Sequence, residues 1–173
     1  DAQRLLRAAL PFTVFGLELL DAATYRDRET FEVGPFRITP FLADHSAFDA
    51  YSFLIEAEGR RLFYTGDFRG HGRKRTLFSQ LLSEPSIKGV DVLLMEGTQL
   101  GREDHAIAQT EFSLEDDIAQ SIATTTGLVL ASFSAQNIAR VVTFWKAARR
   151  AGRPFVADVY LAHILASLNR PSL

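Results

Sequence analysis

The first half of the chain alternates apolar and polar residues in a pattern that predicts two β-hairpins. Residues 29–43 contain two alternating stretches separated by Gly34 and Pro35, which supply a turn. Two further stretches follow directly, and Glu58 and Gly59 between them predict a tight turn joining antiparallel strands. This half of the chain therefore has the signature of a hairpin-rich sheet.

Segments with helical periodicity lie before and after these hairpins. Residues 2–10 predict a short helix, whereas residues 12–20 are ambiguous between strand and helix. Further along, apolar residues at helical spacing predict helices at residues 75–84, 114–126, 134–151 and 159–168. The predicted caps and ends of the middle two helices are polar or glycine residues: Ser113 with Asp116, Gly127, Ser134 and Gly152.

Three short, mainly apolar segments predict buried strands between those helices, at residues 90–98, 128–133 and 153–158. Alternation of strand and helix is typical of a parallel α/β unit. The predicted fold class is therefore α/β, with a hairpin-rich half, a doubly wound half and a change of topology near residue 100.

Composition limits the classes of protein that this chain can belong to. It has 173 residues, 47% of them hydrophobic, which is enough to bury a core. No apolar run reaches the roughly 18 residues that span a bilayer, so we expect a soluble cytoplasmic protein. The absence of cysteine excludes thiolate zinc sites. The net charge is −2, and we interpret the basic runs at residues 69–75 and 146–153 as solvated surface.

His45 and Asp67 are the first candidates for chemistry, because each follows the end of a predicted strand. A hairpin between them can bring both to one edge of a sheet, where imidazole nitrogen and carboxylate oxygen are suitable ligands for zinc or manganese. The alternative is ordinary turn chemistry, with His45 capping a turn through Asp44 and Ser46, and Asp67 forming an Asx-type turn.

Other polar residues are weaker candidates. Glu96 follows four apolar residues and is either a partner of a site or the start of an exposed loop. Residues 132–137, with Ser132, Ser134 and Asn137, can bind a phosphate at a helix N-terminus or simply cap that helix. His71 lies among basic residues and can face an anionic substrate. His105 is expected in a loop, and His163 as a packed or surface residue of a helix.

These segments, taken in order, resemble the β-CASP nuclease branch of the metallo-β-lactamase superfamily, typified by ribonuclease J. The stretch DHSAFDAYSFLIE is similar to that family's third metal motif, and RLFYTGDF to its fourth. LLMEGTQLGR resembles the acidic motif that opens the β-CASP insert, and GLVLASFSAQNIARVVTFWKAARRAGRPFV the insert's first strand, helix and strand. The resemblance extends from about residue 29 to residue 170.

The resemblance implies a role for each matching residue. His45 would be a terminal ligand of zinc or manganese, Asp67 the catalytic ligand that bridges two ions, and Glu96 the acidic residue that orients a catalytic-site histidine. In that family the metal pair activates a water that attacks a phosphodiester. RNA would be the substrate of the intact enzyme. We expect part of an αββα sandwich at residues 1–104 and part of a Rossmann-like insert at residues 105–173.

One departure from the family is serious, because its H-x-H-x-D-H motif is absent. We therefore expect an internal fragment that binds metal weakly, hydrolyses nothing appreciable by itself and self-associates through exposed apolar surface. Two alternatives remain open. One is a hydrolase of the same fold acting on a small ester or phosphodiester, and the other is a non-catalytic scaffold that has lost its metal site.

Overall fold

The computed structural model describes residues 1–13, 22–98, 100–101 and 109–169. His105 and most of the ambiguous segment 12–20 lie outside these residues. The chain divides into two compact units, which we call the sheet unit (Ala22–His45 and Asp49–Ala108) and the helical unit (Asp1–Asp21, Ser46–Phe48 and Gln109–Leu173).

The sheet unit is built on one five-stranded sheet in the order β1-β2-β3-β4-β5. Its elements are β1 (Phe31–Val33), β2 (Phe36–Leu42), β3 (Tyr51–Ala57), β4 (Arg60–Tyr64), α2 (Arg75–Leu82) and β5 (Val92–Leu94). The first three strand pairs are antiparallel, and β5 pairs with β4 in parallel. Both predicted hairpins and the predicted helix α2 are thereby confirmed.

The two hairpin turns depend on residues with positive φ. Gly34 has φ 56°, and the second turn has two such residues, Glu58 at φ 50° and Gly59 at φ 74°. Two successive positive φ angles are characteristic of the type I′ turn, whose twist matches that of antiparallel strands. The turns therefore fix the register of both hairpins.

Strand direction brings three chain segments to the same edge of the sheet. Since β2 and β4 are each antiparallel to β3, they run the same way, and β5 runs parallel to β4. The carboxyl ends of β2, β4 and β5 therefore lie at one edge, with β3 standing between β2 and β4.

One face of the sheet buries Phe41, Leu54 and Phe63 against partly buried Leu81, Ile87 and Val90. The prediction that the strand within residues 90–98 is buried was wrong, because the side chains of β5 are about half exposed. The strand has only three residues and pairs on one side, with β4.

The helical unit consists of α1 (Ala2–Ala9), α3 (Glu111–Thr124), α4 (Ile138–Arg150) and α5 (Val159–Ser167). Helix α3 contacts α4, and α1 contacts α5. The largest core cluster of the helical unit includes Leu5, Ile138, Val141, Ile164 and Leu168. No helix within the described ranges is long and apolar enough to cross a membrane.

Both middle helices are capped by residues other than the predicted serines. The Ser113 amide donates to the Thr110 hydroxyl at 3.0 Å, so Ser113 is the third residue of α3 and Thr110 is its cap. Asn137 caps α4 by accepting from the Arg140 amide at 3.2 Å. The Ser134 carbonyl instead accepts from the Asn137 amide, which closes a turn before the helix.

Two segments predicted as buried strands, residues 128–133 and 153–158, form no strand. Leu128 is 80% exposed and Leu130 is 84% exposed. A strand needs a neighbour to pair its backbone amides and carbonyls, and the described residues give neither segment such a neighbour. The alternating strands of a doubly wound unit are therefore not observed in the described part of the helical unit.

Candidate metal centre

His45 and Asp67 lie together at the edge where β2 and β4 end. His45 follows β2 and Asp67 follows β4, and their Nε2 and Oδ2 atoms are 4.0 Å apart. The Asp67 side chain is 68% exposed and that of His45 is 28% exposed. The two side chains therefore meet at one edge of the sheet, as predicted, and they do so at a position that solvent can reach.

The chain reaches Asp67 through a tight turn after β4. Gly66 has φ 56°, and a Cβ atom at this position would lie 3.0 Å from the Tyr51 carbonyl oxygen. The preceding Thr65 is buried, donates its amide to the Leu94 carbonyl at 2.9 Å and accepts the Ser52 hydroxyl at 2.7 Å through its carbonyl. Only glycine fits this turn without strain, which explains why it immediately precedes the exposed aspartate.

Glu96 anchors the loop that carries Asp67. Its carboxylate accepts the Phe68 amide at 2.7 Å through one oxygen and the Thr98 hydroxyl at 2.7 Å through the other. These two hydrogen bonds, with a smaller contribution from nearby His45, hold the pKa of Glu96 below its ordinary value. Glu96 is thus an ionised group that fixes the residue directly after Asp67.

Asp44 and Arg69 form a buried ion pair beside the two candidate ligands, and the sequence pattern does not predict this pairing. Arg69 Nε is 3.4 Å from Asp44 Oδ1, and the Arg69 amide donates to the Asp44 carbonyl at 2.7 Å. The interpretation of residues 69–75 as solvated surface was therefore wrong for Arg69. The available signal was an acidic residue directly before His45 and a basic residue shortly after Asp67.

For the remaining candidate residues, the described contacts include none with His45 or Asp67. His71 is partly buried in the loop before α2. Ser132 and Ser134 are exposed residues of the helical unit, and the Asn137 side chain caps α4. His163 is exposed on α5, as expected, with its ring 5.7 Å from that of Phe12 in the same unit.

The described residues do not by themselves complete a metal site. No group of three or more His, Asp and Glu side chains in the described part of the chain could hold an ion. A structural zinc needs four ligands, and a catalytic zinc takes three from protein. His45 and Asp67 therefore fit as two members of a ligand set, and the described residues do not provide the rest.

One solved structure resembles this chain over nearly its whole length. It is a crystal structure of a protein of unknown function from Enterococcus faecalis V583, with a TM-score of 0.77 and 20% sequence identity. The match covers 99% of this chain and 42% of the other, so the chain spans less than half the length of that protein. At this identity the match shows a shared fold. No curated protein matches the chain.

A family model described as a beta-lactamase superfamily domain matches residues 1–131, well over half of the chain. The mixed α/β structure with its five-stranded sheet is consistent with a domain of that fold. The chain therefore belongs to the beta-lactamase superfamily.

Proposed function

We propose that this chain is part of a metal-dependent hydrolase that cleaves phosphodiester bonds, and that RNA is the substrate of the complete protein. Membership of the superfamily suggests a hydrolase, often a metal-dependent one. The observation that carries the proposal is the convergence of His45 and Asp67, 4.0 Å apart at one sheet edge.

Each residue at this edge has a chemical role in the proposal. His45 and Asp67 supply one nitrogen and one carboxylate group to zinc or manganese. The exposure of Asp67 leaves its carboxylate accessible to a second ion. The bound metal would supply an activated water and neutralise charge on the phosphoryl oxygens. Glu96 keeps the Asp67 loop in place through the Phe68 amide.

The β-CASP assignment and the domain boundary are parts of the same proposal. We place a partial metallo-β-lactamase domain at residues 1–104 and a partial β-CASP-like domain at residues 105–173. The grouping of Gln109–Leu173 into the helical unit supports a change of domain near this boundary, although residues 1–21 group with the same unit. The ligands that complete the site would come from further parts of a longer protein.

A hydrolase of a small ester or phosphodiester is the second candidate. Arg69 is paired with Asp44, and Arg150 with Glu115 and Asp116. Such pairing reduces the cationic charge that these two basic runs can offer to a nucleic-acid backbone. A scaffold without catalysis is the third candidate.

The test is a hydrolysis assay on the complete protein with zinc or manganese, using a chromogenic phosphodiester and a single-stranded RNA. We expect Asp67→Asn and His45→Ala each to reduce turnover by about a hundredfold or more. His163→Ala, an exposed histidine of the helical unit, is the matched control and should leave turnover unchanged.

RNA binding by the complete protein, measured at increasing salt, separates the candidates when it is read together with turnover of the two substrates. RNA binding that weakens as salt rises supports the nuclease, because phosphate contacts release counterions. Turnover of the small substrate with salt-independent RNA binding favours the second candidate. Turnover that survives both ligand substitutions would contradict the proposed site.

A further inference from the structure

We infer that the buried pair Asp44–Arg69 is a positioning device that sets the distance between His45 and Asp67. The inference rests on the proposed function, since it concerns the two candidate ligands of the same site. Asp44 directly precedes His45, and Arg69 lies two residues beyond Asp67.

The sheet places both ligands at one edge but does not by itself fix the distance between them. Strand β3 stands between β2 and β4, so no ladder hydrogen bond joins the strand before His45 to the strand before Asp67. Strands separated by one neighbour lie roughly 10 Å apart. His45 lies three residues beyond the end of β2 and Asp67 three residues beyond the end of β4, so the 4.0 Å separation of their side-chain atoms depends on how the two loops are held beyond the strands.

Asp44 and Arg69 link these loops twice. The Arg69 amide donates to the Asp44 carbonyl at 2.7 Å, which joins the two backbones. Arg69 Nε donates to Asp44 Oδ1 at 3.4 Å, which joins the two side chains. Glu96 acts differently, because its hydrogen bond to the Phe68 amide ties the Asp67 loop to the segment after β5.

Burial makes this link rigid. The Asp44 side chain is 2% exposed and the Arg69 side chain 10% exposed. A third segment closes over the pair at Gly72, where a Cβ atom would overlap both Asp44 carboxylate oxygens and Arg69 Nε. Removing one member of a buried ion pair leaves the other charge uncompensated, so this arrangement resists any separation of the two loops.

A purely structural ion pair is the competing explanation, and the helical unit offers a matched control for it. Glu111 is equally buried and accepts from the Arg140 guanidinium at 3.0 Å, but it belongs to the other compact unit. Glu111→Gln should lower the thermal midpoint without changing the geometry at His45 and Asp67. Asp44→Asn should change that geometry.

The first measurement needs no metal. The chain contains no cysteine, so nitroxide labels on a His45→Cys/Asp67→Cys double variant report only the separation of the two loops. We expect strong dipolar broadening between the two labels in this double-cysteine variant, because the labels lie close together. Adding Asp44→Asn should clearly reduce the broadening, whereas adding Glu111→Gln should leave it unchanged. Arg69→Lys, which keeps the charge but not the planar guanidinium, provides a milder second variant.

The second measurement is Mn²⁺ affinity by electron paramagnetic resonance on the unlabelled 173-residue chain. We expect Asp44→Asn to weaken Mn²⁺ binding about tenfold or more, and Glu111→Gln to leave it within about twofold. Altered label spacing with no Mn²⁺ binding by the parent chain would still support the positioning role, because the described residues supply only two members of the proposed ligand set. The proposed metal site is tested separately, by the hydrolysis assay on the complete protein.

Unchanged label spacing in folded Asp44→Asn and Arg69→Lys variants would overturn the inference. Loss of folding in both variants would also overturn it, because the pair would then serve the fold as a whole.

Discussion

The carboxylate of Glu96 accepts the backbone amide of Phe68 at 2.7 Å, joining the segment after β5 to the loop that presents Asp67. The Glu96 amide in turn donates to the Thr65 hydroxyl at 3.3 Å. Two neighbouring parallel strands, β4 and β5, are thus fastened to each other beyond their last ladder hydrogen bonds. The ionised carboxylate of Glu96 therefore stabilises the loop that carries Asp67.

Glu96→Ala should lower the free energy of unfolding by about 1–3 kcal/mol, because it leaves the partly buried Phe68 amide without its acceptor. Chemical denaturation monitored by circular dichroism measures this change. Thr98→Val removes only the hydrogen bond to the other carboxylate oxygen at an exposed residue, and should cost less than about 0.5 kcal/mol. Equal losses for the two variants would contradict the anchoring role.

Glu111, in the helical unit, allows the contribution of a second buried carboxylate to stability to be measured. Its carboxylate accepts from Arg140 at 3.0 Å and from the Thr143 hydroxyl at 2.6 Å, which ties α3 to α4. Because Arg140 is partly exposed, we expect Glu111→Ala to cost about 2 kcal/mol of unfolding free energy rather than the larger loss of a fully buried pair.

The exposed residue Asp116 provides the comparison for Glu111. It pairs with Arg150 at 2.6 Å on the same two helices. Asp116→Asn should cost less than about 1 kcal/mol, since ion pairs in solvent contribute little. Urea unfolding of both variants measures the difference, and a larger loss for Asp116→Asn would refute this ranking.

The pH dependence of stability should have a contribution from Glu84. Hydrogen bonds from Arg28 and Ser86 lower the pKa of Glu84 to about 2, from an ordinary value of 4.5. A depressed pKa in the folded state stabilises the protein fully above pH 4.5 and ceases to do so as the pH falls towards 2. The parent should therefore exceed Glu84→Gln in stability at pH 6.

The size and direction of this effect can be measured directly. Since Arg28 is about half exposed, the difference at pH 6 should be about 1 kcal/mol. Denaturation curves of the parent and Glu84→Gln at pH 6, 4 and 2.5 should converge as the pH falls. A constant difference across this range would show that the Glu84 charge is not responsible.

The sheet unit could be predicted well because its signals are local. Gly34–Pro35 and Glu58–Gly59 are turn sequences, and each fixes the pairing of the strands beside it. The pairing of β2 with β3 is also antiparallel, although no two-residue turn joins them, and this third pairing makes β2 and β4 run the same way. The placement of His45 and Asp67 at one edge therefore depends on this pairing as well as on the two turns.

The remaining features depend on partners that are distant in sequence. Asp44 and Arg69 are 2% and 10% exposed only because separate loops close over them, and no periodicity marks such a pair. The apolar run at residues 128–133 matches a buried strand in composition, but pairing requires a neighbouring strand. Sequence pattern does not show whether that neighbour is present, so the strand prediction was wrong for the described structure.

The exposed run that begins at Leu128 leads to the last prediction, which concerns self-association. Leu128 and Leu130 are 80% and 84% exposed, and the pocket they line is also formed by Phe133, Phe155 and Val156. A contiguous apolar surface of this kind favours association with another copy. We expect the weight-average mass of the chain to rise with concentration in sedimentation velocity.

Substitution of the two leucines tests whether this surface causes the association. Leu128→Ser/Leu130→Ser should shift the chain towards monomer at every concentration, because it removes apolar area at the centre of the exposed surface. Leu82→Ser changes an exposed leucine of the sheet unit and should leave the mass distribution of the parent unchanged. If the sheet unit were instead the site of association, Leu128→Ser/Leu130→Ser would leave the weight-average mass unchanged. Leu82→Ser, or another substitution on the sheet unit, would then reduce that mass.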